Sequence, residues 1–148
     1  MSDPPVLEAR RLVRAFRQGR REVRALDGVD FRLEAGEFAA VVGPSGSGKS
    51  TLLHLLGALD VPTEGEVLFE GRSLHAMPDD ERARLRRTRI GFVFQFFQLF
   101  PTLSALENVE VPLLLDGLSP PRARERARFL LERVGLAERG DHRPEELA

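Results

Sequence analysis

The chain has 148 residues, 42% hydrophobic and 30% charged, the size of one ordinary domain and enough to bury a core. Its 22 basic and 23 acidic side chains leave a formal net charge of -1, which excludes a bulk electrostatic footprint for nucleic acid. With no cysteine present, a disulfide scaffold, a zinc-thiolate site and a cysteine nucleophile are excluded together.

The start, Met-Ser-Asp-Pro-Pro, carries no basic segment followed by an apolar stretch, so no signal peptide is expected. The longest greasy stretch, Leu52 to Leu59, contains His54 and is far short of a membrane span. These features read as a soluble, cytoplasmic chain. Val6 to Val13 and Val23 to Leu33 come first, with Val29, Phe31 and Leu33 alternating against Asp30, Arg32 and Glu34. That period of two, closed by Ala35-Gly36, predicts an antiparallel β layer. Phe38 to Val42 is a short apolar run ending at Gly43 and predicts a buried parallel strand.

Gly43-Pro44-Ser45-Gly46-Ser47-Gly48-Lys49-Ser50-Thr51 then matches the phosphate-binding loop pattern G-x-x-x-x-G-K-[ST] in full. Leu52, Leu53, Leu55, Leu56 and Leu59 follow at helical spacing. Strand, glycine-rich loop and helix together aim backbone N–H groups and a helix N-terminus at phosphates. Lys49 would reach the β- and γ-phosphates, and the Ser50 hydroxyl would ligate Mg²⁺. Lys49 is also the single lysine beside 21 arginines, which suggests a site that only a compact ammonium fits.

Gly65 to Phe69 reads as a further short strand. Asp79-Asp80-Glu81 after Pro78 suits a first helical turn, where acids complement the dipole, better than a metal cluster. Five arginines between Arg82 and Arg89, and Arg122, Arg124, Arg126 and Arg128, read as solvated helix faces; contact with anionic lipid headgroups is the competing reading. Phe96, Phe97, Leu99 and Phe100 form an apolar cluster after Gln95. Val111 to Asp116 imitates a strand ending in a magnesium-holding Asp, but Pro112 would remove a ladder donor there. His54, His75 and His142 lack ligand spacing, so no metal cluster is expected.

Taken with the phosphate loop, Leu53 to Asp60 with Pro62-Thr63-Glu64-Gly65, Ile90 to Gln95, Leu106-Glu107-Asn108-Val109, Val134-Gly135-Leu136 and His142 to Leu147 resemble the nucleotide-binding subunit of ABC transporters. The lipoprotein-releasing and macrolide-export branch is the most similar. The resemblance implies an α/β fold, an incomplete P-loop NTPase domain over residues 1–148. Residues 1–95 would form the β layer and P-loop core, with Ile90 to Gln95 a strand ending in the glutamine of the Q-loop, and 96–148 the Q-loop and the start of a helical arm. It implies ATP and Mg²⁺ as cofactors, with Gly43 to Thr51 on the phosphates and Gln95 beside Ser50 at the Mg²⁺. Phe16 would stand where the family stacks an aromatic residue, usually Tyr, on adenine. The Phe96 to Phe100 cluster would receive a coupling helix of a transmembrane permease. A second nucleotide-binding subunit would be the other partner, and the place would be the inner face of the cell membrane. The family's signature, its magnesium Asp with the adjacent catalytic Glu, and its switch His are not among these residues, so binding of ATP without hydrolysis is expected. A non-enzymatic regulatory fragment and another P-loop kinase are the alternatives; the long β segment before Gly43 disfavours the kinase.

Overall fold

The computed structural model describes residues 4–19, 21–96 and 98–147, in two compact units, residues 1–91 and 92–148. The first unit is built on an antiparallel sheet of order β2-β1-β3-β4. Its strands are β1 (Leu7–Gln18), β2 (Arg21–Leu33), β3 (Glu64–Phe69) and β4 (Arg72–Ser73). Ala9 and Leu12 are both buried although three positions apart, which strict alternation forbids. A bulge at Arg10–Arg11 resolves this: the register shifts against both neighbours there, and Arg11 takes φ 45 with its N–H donating to Asp30 Oδ1 at 2.8 Å. Gly65 of β3 answers the bulge, since a Cβ on it would lie 2.3 Å from the Arg11 carbonyl oxygen.

Helix α1 (Lys49–Leu56) lays Leu52, Leu55 and Leu56 into a core with Ala9, Leu12, Leu26, Val67 and Phe69. Helix α2 (Asp79–Thr88) carries Asp79, Asp80 and Glu81 in its first turn and buries none of its residues. Pro78 stands one place earlier than expected, at the N-cap. Its acids are engaged by arginine, Asp79 by Arg82 and Glu81 by Arg72 at 2.6 Å.

Two expected strands are not formed. Residues 38–42 run as irregular chain, with Phe38 93% and Val42 86% exposed and only Val41 packed against the core. Residues 90–95 are likewise unpaired, with Ile90 alone against the core. A strand has no internal hydrogen bonds and exists only beside a ladder partner. Among the described residues neither segment has one, so an apolar run alone does not make the strand.

The second unit pairs α3 (Ala105–Leu115) with α4 (Pro120–Arg133). Ser104 Oγ accepts from the Glu107 N–H at 3.2 Å while Glu107 Oε2 accepts from the Ser104 N–H at 2.8 Å, a reciprocal cap that starts α3. Ala105, Leu106, Ala127 and Leu131 form the core between the two helices. The run 111–116 lies at the end of α3 with Pro112 inside the helix, as its proline argued. Arg122, Arg124, Arg126 and Arg128 are all exposed on α4. Among the described residues no helix is long and apolar enough to cross a membrane.

Candidate functional site

The loop from Gly43 to Thr51 closes directly onto β2. Gly48 is the N-cap of α1 at φ 89 and ψ 2, in the left-handed region. A Cβ there would lie 2.4 Å from the Ala25 carbonyl oxygen and 3.0 Å from Leu26 Cδ2. Only glycine lets the helix begin this close to the hairpin. No side chain caps α1, and the first helical bond runs from the Leu52 N–H to the Gly48 carbonyl at 2.8 Å. The N–H groups of Lys49, Ser50 and Thr51 therefore have no partner within the helix. They sit at the positive end of its dipole, an arrangement that suits an anion.

Lys49 spans the turn. Its Nζ donates to the Gly43 carbonyl at 2.9 Å, the Pro44 carbonyl at 2.6 Å and Ser47 Oγ at 3.4 Å. The Ser47 N–H returns to the Pro44 carbonyl at 3.3 Å, which tightens the bend around the ammonium. The glycines serve close approach here too, since a Cβ on Gly43 would lie 2.7 Å from Ser47 Oγ. The Ser50 side chain is exposed on the first turn of α1.

Phe16 lies on β1 opposite Val23 and is 39% exposed. It therefore does not pack beneath the sheet. The Arg14 guanidinium stands 4.7 Å from its ring centroid and donates to Asp60 Oδ1 at 2.8 Å. Sequence reasoning passed over both Arg14 and Asp60. The available signal was an arginine two places before an aromatic residue in a strand, where both side chains share a face. Gly43 to Thr51 and Phe16 thus belong to the first unit, whereas Gln95 belongs to the second, exposed in irregular chain.

The residues present fit a triphosphate and its metal. The uncapped helix start, the close-packed glycines and one ammonium form an anion cradle. Mg²⁺ on a nucleotide takes most of its oxygens from phosphates and water, so the single Ser50 hydroxyl is an adequate protein share. Among the described residues no group of three or more His, Cys, Asp or Glu could hold a metal by itself.

Residues 26–148 match the family profile described as ABC transporter. The chain belongs to the ABC transporter family. This membership sets aside the kinase alternative. The macrolide export ATP-binding/permease protein MacB of Marinobacter nauticus is 47% identical over 148 residues, which is 100% of this ABC chain and 23% of that protein. The lipoprotein-releasing system ATP-binding protein LolD of Xanthomonas campestris is 49% identical over 143 residues, 97% of this chain and 60% of its own length. Among solved structures, the ATP-binding cassette MJ0796, a dimer in a post-hydrolysis state bound to ADP and Pi, superimposes with a TM-score of 0.88. It is 40% identical, over 96% of this chain and 63% of MJ0796. The ABC chain therefore has part of the α/β P-loop fold of that cassette, and it spans less than two thirds of the length of each of these three proteins.

Proposed function

We propose that the chain is the ATP-binding part of an ABC transporter ATPase that serves lipoprotein release or substrate export through a membrane permease. The observation that carries this reading is the Gly43–Thr51 turn, with Lys49 held across it and the α1 start uncapped. Lys49 and the backbone from Gly43 to Thr51 hold the phosphates, Ser50 offers an oxygen to Mg²⁺, and Phe16 stacks on adenine. Bound Mg²⁺ would neutralise charge between neighbouring phosphates. The relatives named for lipoprotein release and macrolide export support the branch, and the dimeric neighbour supports a second ATP-binding subunit as partner. The working place is the cytoplasmic face of the inner membrane, against the permease, with Phe96, Leu99 and Phe100 as its docking surface; Phe97 of the same cluster lies outside the described residues. These 148 residues carry the phosphate-holding side of a composite site and bind ATP without turning it over.

Equilibrium dialysis of the polypeptide with Mg·ATP tests the reading. Retention that drops to background in Lys49→Ala is expected, and equal retention by mutant and parent would sink it. Phosphate release at background level is the companion expectation. Turnover that disappears in Lys49→Ala would overturn the binding-only part.

A further inference from the structure

We propose that Arg14 is a positioning residue for adenine recognition, pinned by Asp60 so that its guanidinium backs one face of the Phe16 ring and leaves the other for the base. This rests on the reading of Phe16 as the adenine-stacking residue.

Three observations converge on Arg14. Its guanidinium stands 4.7 Å from the Phe16 centroid, within the range of a cation–π contact. Its terminal nitrogen is held at 2.8 Å by Asp60, with the two side chains only 24% and 31% exposed. Its Nε is buried with no hydrogen-bond partner among the described residues, so the side chain accepts a desolvation cost to lie where it does.

The anchor also ties the base side of the site to its phosphate side. Asp60 follows α1, the helix whose first turn ends the phosphate loop. Three residues on, the Thr63 N–H donates to the Val13 carbonyl at 2.8 Å and Thr63 Oγ1 accepts from the Ala15 N–H at 3.0 Å. The segment from Asp60 to Thr63 thus grips β1 on both sides of Arg14, just where β1 has passed its last pairing with β3 at Val13. Ring, guanidinium and carboxylate form one chain from the base to the far end of the helix that starts at Lys49.

The electrostatics favour a neutral base on the open face. Two stacked π faces are both negative and repel when aligned. A cation behind Phe16 draws its electron density away from the side that meets the base, which relieves that repulsion.

Calorimetric titration of the 148-residue polypeptide with Mg·ATP and, in parallel, Mg·tripolyphosphate separates base from phosphate recognition. Arg14→Gln should weaken ATP about fivefold and leave tripolyphosphate within about twofold of the parent. Arg14→Lys, which keeps the cation and the Asp60 pair, should recover part of the loss. Equal loss for both ligands, or loss for neither, overturns the proposal. Phe16→Ala reports on the underlying reading: it should weaken ATP on the order of tenfold, and an unchanged ratio of ATP to tripolyphosphate affinity would defeat the stacking role itself, whatever Arg14 does. Should Arg14→Gln lose its far-ultraviolet dichroism, Asp60→Asn decides. It frees the guanidinium, and a selective loss of ATP affinity supports the proposal while an unchanged ratio overturns it.

Discussion

Substituting alanine for Gly48 would set a Cβ 2.4 Å from the Ala25 carbonyl oxygen while holding a side-chain-bearing residue at φ 89. The left-handed conformation alone costs about 1 kcal/mol and the clash adds to it, so a loss of more than about 2 kcal/mol is expected. Thermal unfolding checks this, and a variant melting like the parent would mean that the loop can move off β2. Lys49→Arg should fold but not retain nucleotide, because a planar fork cannot reproduce the contacts of Nζ with two carbonyls and a hydroxyl inside one turn. A pH-sensitive residue lies on β1. The Arg10 guanidinium donates to both Glu8 oxygens at 2.9 and 3.0 Å, and that hydrogen bonding holds the Glu8 carboxyl below its ordinary value. A depressed carboxyl stabilises the fold above its unfolded value, and the contribution is lost as pH falls through the folded one. Carbon-detected titration should place Glu8 below an ordinary glutamate, and Arg10→Gln should move it back up.

Among the elements, the loop entering α3 is gathered around the Asn108 side chain. Asn108 Oδ1 accepts from the Phe100 N–H at 2.8 Å, and its Nδ2 lies 3.1 Å from the Phe100 and Leu103 carbonyls and 2.9 Å from that of Ser104. Asn108→Ala should cost about 2 kcal/mol and speed hydrogen exchange at the Phe100 amide; unchanged exchange would mean that the loop holds its shape unaided. Elements whose pattern is local were legible in the sequence. The β1–β2 layer, β3 and α1 each carry their periodicity within a dozen or so residues. The bulge at Arg10–Arg11 was not legible, because it depends on Gly65 and Asp30 in other strands. Residues 38–42 misled for the same reason, since a strand is a property of two segments and the pattern reports one; the strand at 90–95, implied by the family resemblance, lacks a partner among the described residues in the same way.

For the molecule as a whole, the consequence lies on its surface. Phe38 and Val42 stand almost fully exposed on unpaired backbone, and such a segment is a template for pairing with another copy. Sedimentation of the polypeptide should show association that grows with concentration and weakens in Phe38→Glu; a concentration-independent monomer would contradict this. The candidate site divides along the same line between local and distant information. Gly43 to Thr51 is contiguous and was read directly, whereas Phe16 and Gln95 came only from the family resemblance. Arg14 stands two places before Phe16 and so carried a local signal, whereas its partner Asp60, 46 positions away, carried none. The ammonium of Lys49 has a last implication. Because it already holds three oxygens of its own loop, a guest must displace them, and occupancy becomes an exchange of ligands around one cation. Such a seat behaves as a miniature ion exchanger. On the proposed function it would turn away weakly charged anions that cannot outbid a pair of carbonyls and yield to those with the highest charge density, so discrimination by phosphate number would be set at this ammonium and not at the base.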